Sequence, residues 1–130
     1  MQHTHWHGFR YVGKAYTDPQ RRRGEAPTAF PPFVLDEFLT ALRTKTADTL
    51  ADTTAALDWL KQGATSAPPL DQTAFTIEDR LASAERTLRQ EVGADVIFGY
   101  YTSGQTYVSL SVIACPRLGI GCPTGFQPAP

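Results

Sequence analysis

VIFGYYTSGQTYVSLSVIAC, residues 96–115, is a run of twenty residues without a charge. It is rich in β-branched and aromatic residues on either side of Thr102-Ser103-Gly104-Gln105. Such a pattern predicts an antiparallel β-hairpin, with a glycine where the turn can take a positive φ. A strand open to water alternates apolar with charged side chains, and this one does not, so both faces are expected to be covered. With Ser103-Gly104 as a two-residue loop, Ile97 faces Leu110 and Gly99 faces Val108. Ile97, Val108, Leu110 and Val112 then form the core face. Phe98, Tyr100, Tyr107 and Ile113 lie on the other, covered either by the chain itself or by a partner, which makes them candidate interface residues.

Working back from the hairpin, Thr76-Ile77-Glu78-Asp79 has the form of a capping box. It opens a helix with Ile77, Leu81, Ala84, Leu88 and Val92 on one stripe, an i,i+4 pair Glu85–Arg89 outside, and Gly93 as its end. Ala64–Asp71, with Pro68-Pro69, reads as a linker. Residues 33–62 carry Leu35, Leu39, Leu42, Leu50, Leu57 and Leu60 at helical spacing. They predict one long helix stopped by Gly63, or two helices if the threonine-rich middle, Thr44–Thr54, breaks it. Asp18–Pro32 collects four prolines and a glycine and reads as a loop. Phe9–Tyr16 has β-formers on both parities and reads as a strand.

The expected fold is therefore α+β: an N-terminal strand, one long or broken helix, a second capped helix and a C-terminal antiparallel hairpin, the helices packed on a small antiparallel sheet. Of the 130 residues, 9–115 form one domain in this reading. Residues 1–8 are a flexible histidine-containing terminus, and 116–130 an irregular Pro/Gly/Cys tail.

Net charge is −1, so no global field favours nucleic acid or an anionic membrane, and neither is an expected partner. No apolar run approaches the ~20 residues that cross a bilayer. The N-terminus lacks the regions of a signal peptide, so a cytoplasmic location is expected. Nine arginines against three lysines, amid much Ala, Thr and Pro, suggest a GC-rich bacterial or phage source.

Three features bear on chemistry. His3, His5 and His7 alternate, so an extended chain presents them on one side, and imidazole suits Zn, Cu and Ni. With the α-amino group, His3 could also complete a square-planar Cu(II) or Ni(II) set. Cys115 and Cys122 are each followed by proline, with six residues between. That spacing is wrong for a single zinc knuckle, so only a composite site with the N-terminal histidines could serve. A disulfide between the two is the alternative to a pair of thiols. Arg21-Arg22-Arg23 could contact an anion or nucleic acid.

No nucleophile elbow or phosphate loop occurs, and Asp36-Glu37 and Glu78-Asp79 are explained by helix first turns. The sequence offers no basis for an enzymatic assignment, although active sites also assemble from scattered residues. The function expected first is a protein–protein interaction or assembly module, as a homo-oligomer or a subunit of a larger particle. Behind it stand a metal-binding protein using the histidine terminus, and a folded domain presenting its Cys/Gly/Pro-rich tail for binding or modification.

Overall fold

A computed structural model describes residues 4–40, 47–71, 76–90, 93–115, 117 and 122. Its centre is β1, His5–Gly13, whose first five residues are all buried. The strand starts four residues before the sequence-predicted Phe9, and the terminus expected to be flexible from 1 to 8 is instead core from His5 onward. Trp6 and Phe9 supply apolar faces of opposite parity, and a strand buried on both faces has no polar alternation to announce it. β1 pairs antiparallel with β2, Ala47–Leu50, on one side and with β4, Tyr107–Cys115, on the other. β4 pairs with β3, Val96–Tyr101, so the order is β2-β1-β4-β3.

Among the described residues four helices complete the α+β fold: α1 (Asp18–Arg22), α2 (Asp36–Thr40), α3 (Thr53–Ser66) and α4 (Ile77–Gln90). Among the described residues, none is long and apolar enough to cross a membrane. α1 lies where a loop was expected. Thr17-Asp18-Pro19-Gln20 is itself a capping box: the Thr17 hydroxyl accepts from the Gln20 amide, and the Thr17 amide donates to the Gln20 side chain at 2.9 Å. The long helix of residues 33–62 is broken, and part of its threonine-rich middle is the strand β2. Its Ala-Asp-Thr-Leu sequence has little strand propensity of its own, and the break is resolved in favour of β by pairing with β1, Trp6 opposite Leu50. Gly63 does not stop α3. It lies inside the helix, where a Cβ would come 2.8 Å from Leu110 of β4, so glycine here allows close approach of helix and sheet.

The helix expected from Thr76 is α4, with its box closed. The Asp79 amide donates to the Thr76 hydroxyl at 3.0 Å, and the Thr76 amide to the Asp79 carboxylate at 3.1 Å. Glu85 and Arg89 pair at 2.9 Å as the spacing implied, and Gly93, at φ +77°, follows the helix.

The hairpin is present, but one residue out of the expected register. Tyr101 faces Tyr107. The Thr102 amide donates to the Thr106 carbonyl at 2.9 Å, and the Gln105 amide to Thr102 at 3.0 Å. The left-handed residue is Gln105, at φ +62°, not Gly104. This is the three-residue loop in which a type I turn precedes one αL residue. Because side chains alternate, the slip turns β3 over. Val96, Phe98 and Tyr100 join Val108, Leu110 and Val112 in the core, packed against α3 and α4 with Trp6, Leu60 and Leu88. Ile97, expected in the core, is 47% exposed, while Phe98 is 6% exposed. β4 is enclosed on both faces, but β3 is covered on one only.

The opposite face of the sheet carries a thinner layer. Phe9, Ile113 and Cys115 meet Phe38 and Leu39 of α2, with Ala47 and Cys122 at the margin. Beyond them, Phe30 packs against Tyr11, Tyr16 and Tyr107.

The observed register fixes an order of mutational costs. Phe98→Ala is expected to cost about 3–5 kcal/mol, as removal of a buried ring does, and Ile97→Ala less than about 1 kcal/mol. Urea denaturation of the two variants checks it, and the reverse order would mean the Ser103-Gly104 register.

Candidate metal centre

The antiparallel pairing of β1 with β4 sets His5 directly opposite Cys115. His7, two residues along β1, projects from the same face because side chains alternate with period two. Its cross-strand neighbour is Ile113. Both histidines and Cys115 thus line the thin second layer at the end of β4. The chain beyond the strand brings in the fourth group. The Sγ of Cys122 lies 3.5 Å from Nε2 of His5 and 3.5 Å from Nε2 of His7.

One ligand atom from each of His5, His7, Cys115 and Cys122 lies within 4.8 Å of all the others. The two imidazoles stand edge to face, centroids 5.0 Å apart and planes at 84°. Neither cysteine is in a disulfide. His5, His7 and Cys115 are buried, and Cys122 is half-buried.

This composition suits a tetrahedral metal. Zn–N bonds near 2.0–2.1 Å and Zn–S bonds near 2.3 Å place neighbouring N and S ligand atoms ~3.6 Å apart. The two N···S distances found here agree with that figure. Two nitrogens and two sulfurs in a tetrahedral set suit zinc or iron better than square-planar Cu(II) or Ni(II). The Nδ1 of His7, not the nitrogen beside Cys122, is buried with no hydrogen-bond partner among the described residues, a cost that an ion at Nε2 would leave in place.

The electrostatics follow from burial. Desolvation, reinforced by His5, lowers the pKa of His7 to about 4, so its imidazole is neutral at pH 7, the form that binds metal. Desolvation, then a hydrogen bond and charge repulsion from Cys122, push the Cys115 thiol up to about 12, against a smaller opposing effect of Arg117. Without metal, the His7 ring and the Cys115 thiol would sit side by side uncharged.

Arg117 is anchored two residues beyond the end of β4. Its Nη1 donates to both carboxylate oxygens of Asp95 at 2.9 and 2.8 Å, and its Nε to Asp36 of α2 at 2.7 Å. Asp95 in turn accepts from the Ala114 amide at 2.7 Å. This clamp ties the chain after β4 both to the start of β3 and to α2.

His5 and His7, and Cys115 and Cys122, are thus brought together, while His3 lies outside the described residues. The other sequence candidates go elsewhere. Phe98 and Tyr100 are buried under α3 and α4, and Ile113 under α2, so these three are internal and offer no exposed surface. Tyr107 is half-buried between Phe30 and Tyr101. The three arginines lie at the end of α1. Arg21 lies 3.8 Å above the Phe33 ring and donates to the Pro31 carbonyl at 2.7 Å, Arg22 lies 5.7 Å from the same ring, and Arg23 pairs with Glu25.

For the metal-free protein, the lowered His7 pKa fixes the sign of a pH effect. Between pH 6.5 and about 4 the unfolded chain protonates His7 while the native one does not, so stability falls as pH falls through that window. Urea midpoints measured across it should decline, and should do so less steeply for His7→Gln. Compared with known proteins, the chain matches no protein-family model, no curated protein and no solved structure.

Proposed function

We propose that the protein is a zinc-binding module in which His5, His7, Cys115 and Cys122 hold one structural ion. The observation that carries this reading is the convergence of two imidazole Nε2 atoms on one thiol at 3.5 Å, with a second thiol beside them. Four protein ligands leave no open coordination position, which separates a structural site from a catalytic one. The ion's task follows from the packing. Among the described residues, one face of the sheet is covered by two fourteen-residue helices, the other by a five-residue helix and a few rings. An ion bridging β1, the end of β4 and the Cys122 segment would fasten that weak layer, because metal binding free energy is folding free energy when the site exists only in the native state. This makes the ion a cofactor of structure and argues against enzymatic use of the site.

Untagged protein reduced and saturated with zinc is expected to hold one ion per chain. At free zinc a thousandfold above Kd the gain in stability is about 4 kcal/mol, read as a rise in the denaturation midpoint that a chelator reverses. Cobalt in place of zinc should show tetrahedral d–d bands with a thiolate charge-transfer band. His7→Ala and Cys122→Ala should each abolish stoichiometric uptake. Wild-type chain that takes up neither ion at neutral pH would overturn the reading.

The assembly role expected from the sequence keeps a different support. β3 is the outer strand of the sheet, it is uncharged, and Ile97 and Tyr101 are about half exposed upon it. The Leu70 amide already donates to the Tyr101 carbonyl at 2.8 Å, so a second copy of the chain would pair with β3 at its Val96 end and cover Ile97. Light scattering over a range of concentrations should then show dimer, and Ile97→Lys, at a position that does not enter the core, should return it to monomer. A wild-type monomer at every concentration would remove this reading and leave the zinc site untouched.

A further inference from the structure

We propose that the zinc site is also a redox-releasable one: a hydroperoxide oxidises Cys122, Cys115 resolves it, and the disulfide that forms expels the ion. The inference rests on the zinc reading above and adds regulation to it. Its basis is the asymmetry of the two sulfurs. Cys115 closes β4 with no exposed surface, under α2 and opposite His5. Cys122 lies on the chain beyond the strand and is half-buried. A small oxidant from solvent therefore meets Cys122 first, and exposure together with thiolate character decides which cysteine oxidises. Zinc keeps both sulfurs as thiolates.

The second sulfur is in place to complete the reaction. Both lie within the 4.8 Å cluster, only six residues separate the two cysteines, and the chain has no third. Arg117, between them in sequence, pairs with Asp36 and Asp95. With the two sulfurs already inside one cluster, an intramolecular disulfide is the product the chain provides for.

The chemistry balances with hydrogen peroxide as the oxidant. The Cys122 thiolate attacks one peroxide oxygen, the O–O bond breaks, and sulfenic acid and hydroxide result. The Cys115 thiolate attacks the Cys122 sulfur, an S–S bond forms, the S–O bond breaks, and a second hydroxide leaves. Two protons convert the hydroxides to two waters. The sulfurs have lost two electrons to the peroxide oxygens, and no thiolate remains. The two imidazoles are left as the protein's ligands, which is half of a structural set, so the ion departs.

Zinc-loaded full-length protein treated with hydrogen peroxide in the presence of a chromophoric zinc indicator tests this. The expected result is one ion released for each disulfide formed, with an intact mass lower by two hydrogens, loss of both titratable thiols, and recovery of zinc binding after a dithiol reductant. In Cys115→Ser the resolving sulfur is gone, and a sulfenic-acid trap should label Cys122. In Cys122→Ser such labelling of Cys115 should be lost. A chain that never takes up zinc defeats the function proposed above, and this inference with it. A chain that binds zinc but keeps it under peroxide, or loses it with sulfinic acids or intermolecular dimers in place of the internal disulfide, defeats this inference alone.

Discussion

The register between β1 and β4 is the constraint on which the rest of the molecule depends. Nine consecutive pairs, His5 with Cys115 through Gly13 with Tyr107, lock two strands that are each needed on both sides of the sheet. In that register Trp6 and Ala114 face α3 and α4 while His5, His7, Cys115 and Ile113 face the other way. A slip of one residue would send the histidines into the large apolar core and Trp6 into the thin layer. Neither would be tolerated. The indole of Trp6 donates to the Ala94 carbonyl at 2.9 Å on its own side, and buried imidazoles without acceptors would be costly among Leu60, Val112 and Phe98. The chemistry of the site and the packing of the core therefore enforce the same alignment.

That shared alignment also explains what could be read from the sequence and what could not. The α4 capping box, the Glu85–Arg89 pair and the existence of a C-terminal hairpin were legible because each depends on residues a few positions apart. The failures lie where a distant partner decides. Residues 47–50 form β2 because β1 offers an edge, with Leu50 opposite Trp6, and helical leucine spacing carries no trace of that. Gly63 looks like a stop until Leu110 is known to press on it. The hairpin register turned on one φ, at Gln105, where glycine chemistry at the neighbouring position pointed to a shorter loop.

The candidate site was legible in its parts and not in its assembly. Alternating histidines announced a common side, and the wide cysteine spacing excluded a single knuckle, so a composite site was the one zinc arrangement the sequence allowed. What was missing was the strand. Read as a mobile terminus, His5 and His7 were two ligands without a fixed position; read as part of a sheet, His7 is held by backbone pairing on both sides and His5 by pairing with Cys115. Neither of the two cysteines stands near the histidines in the chain. The closest separation, Cys115 to His7, spans nearly the whole molecule, and nothing local could encode it.

A site built this way differs in consequence from a local zinc knuckle. In a knuckle the ion organises a short loop and the rest of the protein is indifferent to it. Here two ligands come from the first strand and two from the last strand and the segment after it, so an ion would join the two ends of the chain across the middle of the sheet. Closing a loop of that length is where a cross-link acts most strongly on the unfolded ensemble. The larger core on the α3–α4 face has its own apolar packing, to which none of the four ligand residues belongs. The second layer, with α2 and the Arg117 clamp, is where loss of the ion would be felt. Local opening there would leave Trp6, Leu60 and Leu110 packed, so the metal would govern the order of one face of the sheet and not the existence of the fold.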